Sequence, residues 1–217
     1  MKRTGVAFLA MSVALIGATA AMAAPVNTSL TVSNGWNLIS LPTVPLDPDP
    51  IAVFNSIGGE SAIDGKLIRY DPVFRSNLTW DPFSDEFGNM LLGDGYWLFR
   101  QEAGSASFTY SGVDVSGDHW LSLPRAGWTL LGYPNNTPAT LAFENLLVTN
   151  GIETKTITDA INAGWINDSA ITYNTALKSN ETVGIPDAFP DLEELEAGRG
   201  YWFFTTLDNL ALIVPGS

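Results

Sequence analysis

Gly35-Trp36-Asn37-Leu38-Ile39-Ser40-Leu41-Pro42 returns as Gly127-Trp128-Thr129-Leu130-Leu131-Gly132-Tyr133-Pro134. In the first stretch Trp36, Leu38 and Ser40 alternate with Asn37, Ile39 and Leu41. Both faces are largely apolar, which predicts a strand inside a sheet rather than at its edge. Pro42 lacks the ladder donor and ends the strand. Asn34-Gly35 reads as a turn after a first strand at Leu30-Thr31-Val32. The small residue at Ser40 recurs as Gly132, which predicts a close approach over that position.

A second pattern follows each copy of the first. Gly93-Asp94-Gly95-Tyr96-Trp97 matches Gly198-Arg199-Gly200-Tyr201-Trp202, and between the motifs Leu67-Ile68-Arg69-Tyr70 matches Ala170-Ile171-Thr172-Tyr173. The first motif recurs 92 residues later, the tyrosine 103 and the Gly-Tyr-Trp run 105, so the connecting loops have changed length while the strands stayed. From Ser105 to Ser111 the chain alternates strictly, with Ala106, Phe108 and Tyr110 on one side and Ser or Thr on the other. That predicts a strand with one buried and one wet face, matched by Leu210-Ala211-Leu212-Ile213-Val214.

One short helix is expected in each copy. Asp49 caps and Pro50 opens the first, carried by Ile51, Val53, Phe54 and Ile57 and stopped by Gly58-Gly59. Thr137-Pro138 opens the second, carried by Leu141, Phe143, Leu146 and Leu147 and stopped by Asn150-Gly151. The expected fold is mainly β: two tandem, pseudo-symmetric copies of a small β-sandwich or partly open barrel. Copy one spans 24–113 and copy two 114–217. In this order the motifs resemble a repeat of secreted and surface-attached bacterial proteins, which often stands beside adhesive or other β-rich modules. That family has no established activity, so the resemblance implies location and architecture but no reaction. Copy two departs from it at Thr129, Gly132 and Tyr133.

Lys2 and Arg3, the apolar run 6–16 and Ala21-Met22-Ala23 read as a secretory signal peptide over 1–23. The mature chain is expected outside the cytoplasm: extracellular, periplasmic or at the cell surface, without membrane insertion. No anchor signal follows Val214-Pro215-Gly216-Ser217, which predicts release or non-covalent retention. There is no cysteine, so disulfides and thiolate metal sites are excluded. Stability must come from apolar burial, and 46% hydrophobic residues suffice for one sizeable core or two small ones. The formal charge of −13 becomes −15 when Lys2 and Arg3 leave with the leader. Such an acidic chain is a poor partner for nucleic acid or anionic lipid.

His119 is the only histidine, near the copy junction, and is expected in a turn or at the surface. Gly59-Glu60-Ser61 begins a nucleophile elbow, but Ile63 occupies its last position. Nothing selects a carboxylate pair for glycoside hydrolysis, and neither Gly-x-Gly run opens a helix that could cradle phosphate. No enzyme is expected. No cofactor is expected either; calcium alone remains open, because it takes oxygen donors, with Asp81, Asp85, Glu86 and Asn89 as candidate ligands.

The recurring Trp36/Trp128, Trp97/Trp202, Tyr96/Tyr201 and Tyr70/Tyr173 are expected in the core, where large rings fix packing. The unmatched Trp80, Trp120 and Trp165 are the expected exposed residues, able to stack on sugar rings. The leading expectation is therefore a non-catalytic secreted module for protein–protein or cell-envelope assembly, its partner a protein or envelope component. The alternative is a carbohydrate-binding module using those three tryptophans on a polysaccharide.

Overall fold

The computed structural model describes residues 24–188 and 190–216; the expected leader, 1–23, lies outside them. The first half contains β1 (Val26–Ser40), β2 (Val44–Pro45), α1 (Pro50–Val53), α2 (Glu60–Ile63), β3 (Leu67–Asp71), β4 (Ser76–Thr79) and β5 (Gly95–Val113). The second begins with β6 (His119–Leu123), β7 (Gly127–Gly132), β8 (Thr140–Ala142), β9 (Leu147–Thr149), β10 (Thr154–Thr156) and α3 (Ile157–Asn162). It ends with β11 (Ser169–Asn174), β12 (Ser179–Gly184), β13 (Glu194–Glu196), β14 (Gly200–Thr205) and β15 (Leu210–Val214). The protein is mainly β, in several antiparallel sheets consistent with a sandwich or partly open barrel.

One sheet has the order β1-β5-β3-β4, with β2 added on β5. A second runs β12-β11-β14-β7, a third β10-β9-β15-β6, and β13 pairs with β8. Asn34-Gly35 is not a turn. β1 continues through it with a register shift against β5, made possible by Gly35 at φ +97°. Asn37 braces the bulge: its Oδ1 accepts from Ser33 N (2.9 Å), and its Nδ2 donates to Ser33 O (2.8 Å) and Gly35 O (2.9 Å).

The strand holding Trp36 also proves to end its sheet rather than lie within it. Its apolar residues are covered instead by the other half. Ile39 bridges Arg199, and Ser40 N donates to Gly198 O (3.0 Å). At the end of β7, Leu131 bridges Asp94, and Gly132 N donates to Gly93 O (2.8 Å). A Cβ on Gly132 would run into the Ser40 side chain, so the two small residues face each other at the closest approach of the halves.

The first helix starts as read from sequence. Asp49 accepts from Ile51 N (2.7 Å) and Pro50 occupies the opening turn, but the segment breaks into α1, a 3-10 turn and α2. The second expected helix does not form. Residues 140–149 hold β8, a 3-10 turn and β9, where Leu147 and Val148 pair with Ile213 and Leu212 of β15. Sheet pairing, rich in β-branched residues, overrides a weak helical spacing. The helix of this half is α3, capped by Thr156 Oγ1 accepting from Asp159 N (3.1 Å).

Two apolar clusters fill the interior. Phe54, Ile63, Leu67, Phe87, Tyr96 and Phe108 belong to one; Phe143, Leu146, Ile157, Tyr201, Phe203 and Leu212 belong to the other. Tyr96 and Tyr201 are fully buried, and each hydroxyl accepts a backbone N–H: Leu91 N at 2.8 Å and Glu196 N at 2.7 Å. Burial pushes both phenols up from the usual tyrosine range, so they stay neutral hydrogen-bonding groups. Tyr96→Phe or Tyr201→Phe is expected to lower stability by about 1 kcal/mol, from the lost acceptor. Urea unfolding checks this; an unchanged midpoint in both would contradict it.

Candidate functional site

The Gly-Tyr-Trp runs explain where the tryptophans go. Successive strand residues point to opposite faces, so once Tyr96 and Tyr201 enter the cores, Trp97 and Trp202 must point outward. The register extends that outer face across each sheet. In the first, Trp36 lies opposite Phe99, Leu38 and Ile68 opposite Trp97, and Asn77 opposite Tyr70. In the second, Trp128 lies opposite Phe204, Leu130 and Ile171 opposite Trp202, and Asn180 opposite Tyr173. Trp36 and Trp128 are each 39% exposed, while Trp97 and Trp202 are half-buried. The expectation that these matched indoles sit in the core is therefore overturned; of the matched pairs, only Tyr96/Tyr201 is interior.

The two outer faces meet through crossed tyrosines. Tyr173 packs edge-on against Trp97 (centroids 5.2 Å apart, planes at 69°), and Tyr70 against Trp202 (4.9 Å, 67°). Trp36 contacts Trp97 (6.1 Å) and Phe99 (5.2 Å); Trp128 contacts Phe204 (5.1 Å). Two shallow hollows result. One, of about 250 Å³, is lined by Trp36, Ile68, Asn77, Trp97 and Tyr173. The other, of about 340 Å³, is lined by Trp128, Ile171, Asn180, Trp202 and Tyr70, with Trp97 at its rim. Each has two indoles, an isoleucine and an asparagine from one half and a tyrosine from the other.

A more polar cavity of about 360 Å³ lies between β3 and the Gly93-Asp94-Gly95 turn on one side and β6 and β7 on the other. Burial holds the Asp94 carboxyl above the usual carboxylate range, against the opposing pull of the Arg69 guanidinium and the Tyr96 hydroxyl. A carboxyl raised by folding contributes stability that is complete below its unfolded pKa and lost as pH rises through its folded value. Asp94→Asn, neutral throughout, is expected to flatten this part of the pH profile and to melt above wild type at pH 7. Thermal melts between about pH 4 and 7 test it; a variant less stable at pH 7 would contradict it.

The three tryptophans expected at the surface divide. Trp120 is 63% exposed, but Trp80 and Trp165 are buried. Trp80 N donates to Leu67 O (2.8 Å) and its ring enters the first cluster; Trp165 fills the second beneath Lys155, whose Nζ lies 4.9 Å from the ring centroid. Neither has a counterpart in the other half, yet each packs within its own core. His119 is buried on β6 opposite Val214, not in a turn, and its Nε2 has no hydrogen-bond partner among the described residues. Among the described residues no three His, Asp or Glu side chains gather to hold a metal ion. Asp81 uses Oδ1 to accept from Phe83 N (2.8 Å).

Neither a family model, a curated protein nor a solved structure matches the chain.

Proposed function

We propose that the protein is a non-catalytic, exported carbohydrate-binding module made of two related copies, 24–113 and 114–217, whose outer aromatic faces form one recognition surface. The observation that carries this is the pair of like-lined hollows, each with indoles and a single amide, completed across the halves by a tyrosine. Small-ligand sites are concave, mostly apolar and furnished with a few polar groups that set orientation. The apolar face of a sugar ring fits an indole, and an asparagine offers both a donor and an acceptor to its hydroxyls. The formal charge, −15 once Lys2 and Arg3 have left, disfavours sulfated or uronic polymers and favours neutral polysaccharides. The resemblance to a repeat of surface-attached proteins fits an envelope or extracellular polysaccharide.

The test is affinity electrophoresis of residues 24–217 through gels containing neutral and acidic polysaccharides. Retardation by at least one neutral polymer is expected. Unaltered migration across the panel would overturn the proposal. A second reading, docking of a protein within the envelope, is favoured by Phe74 and Leu177, exposed at the tips of the β3–β4 and β11–β12 hairpins. Phe74→Ser with Leu177→Ser separates the two: it leaves polysaccharide retardation intact if the hollows are the site.

A further inference from the structure

The geometry points to a second site, distinct from the aromatic hollows: the cavity between the halves binds a single neutral sugar ring, stacked on Trp120 and hydrogen-bonded by Asp94 and Arg69. Along β6 burial alternates, with His119, Leu121 and Leu123 inside, so Trp120 is directed out of the core and onto the cavity wall. An open indole beside a cavity with polar walls has the form of a sugar-stacking platform. Asp94 and Arg69 add an acceptor and a fork of donors, the pairing suited to neighbouring hydroxyls. Asp71 lies on the wall too, so the formal charge of the lining disfavours an anion.

The hollow lined by Asn37, Tyr173, Asn174, Thr175 and Arg199 uses the same motif positions from the opposite halves, with about 210 Å³ of space. Its polar groups already have partners. Asn37, the counterpart of Thr129, braces the β1 bulge and meets Thr175 Oγ1 (3.4 Å); Arg199, the counterpart of Asp94, is tied to Glu181 and Glu196 at 3.2 Å each. Among the described residues neither Asp94 nor Arg69 is held in an ion pair, so the larger cavity, with Trp120 on its wall, keeps these groups available to a ligand.

The probes are glucose, galactose, mannose and N-acetylglucosamine, titrated by calorimetry and saturation-transfer NMR into wild type and the double variant Trp36→Ala/Trp128→Ala, the latter also carrying Trp120→Ala or Trp120→Phe. At least one sugar is expected to bind wild type. In the Trp36→Ala/Trp128→Ala background, which removes stacking in the hollows, adding Trp120→Ala should weaken the remaining binding about tenfold or more, whereas adding Trp120→Phe should retain most of it. Competition by an oligosaccharide of the same sugar separates recognition of a chain end from recognition of the free monosaccharide. No binding by any of the four sugars, or binding in the Trp36→Ala/Trp128→Ala background that Trp120→Ala leaves undiminished, overturns the site. The polysaccharide proposal fails separately, through gel retardation that survives loss of Trp36 and Trp128.

Discussion

Replacing Trp36 and Trp128 together by alanine is expected to lower polysaccharide affinity about a hundredfold while leaving the fold largely intact. Truncating an aromatic anchor at the centre of a contact surface removes about 2 kcal/mol or more, and each hollow loses its most exposed indole. Either single variant should fall less, because the second hollow still tethers the same polymer and keeps its effective concentration high. Stability should change little, since both rings are 39% exposed and lie on the outer face, away from both apolar clusters. Retardation in polysaccharide gels beside urea unfolding of the same samples measures both effects. Full affinity in the double variant would remove the hollows from the account.

The second large effect belongs to the seam. Gly132→Ala places a methyl group against the Ser40 side chain and 2.7 Å from Asp94 O, with backbone rather than a flexible tip in the way. The halves must separate or β7 must shift, which strains the Gly132 N–Gly93 O bond and the Ser40 Oγ–Arg199 O bond, both 2.8 Å. Overpacking at such a contact costs about 3 kcal/mol. Gly95, where a Cβ would lie 2.7 Å from Leu130 Cγ and 2.8 Å from Leu131 O, should respond in the same direction. Because Tyr70 and Tyr173 reach across this seam, binding should fall along with stability. Stability within 0.5 kcal/mol of wild type, which is the usual range for an unremarkable surface change, would contradict the close approach.

Much of the scaffold was legible from local chemistry. Alternation along Ser105 to Ser111 located the last part of β5, Asp49-Pro50 opened α1, and the Ser40/Gly132 pair foretold a tight contact. Where local signals were weak, the sheet decided. Leu141 to Leu147 has near-helical spacing, but β9 is claimed by β15. The recurring indoles lie outside for a different reason: recurrence marks a shared strand position, not a buried one. Tyr96 and Trp97 are adjacent in one strand and cannot share a face, and that period alone would have put the recurring indoles outside. The crossed tyrosines depend on how the halves dock, which neighbouring residues do not encode. Trp80 and Trp165 needed the same knowledge, since each fills a gap closed by distant strands.

Oxidative footprinting of the tryptophans, with and without the polysaccharide that retards the protein most, tests the aromatic surface directly. Without ligand, Trp36, Trp128 and Trp120 should oxidise readily while Trp80 and Trp165 resist. With it, Trp36 and Trp128 should become protected together. Oxidation of Trp36 and Trp128 that is as slow as that of Trp80, or is unchanged by bound polysaccharide, would contradict a shared recognition face.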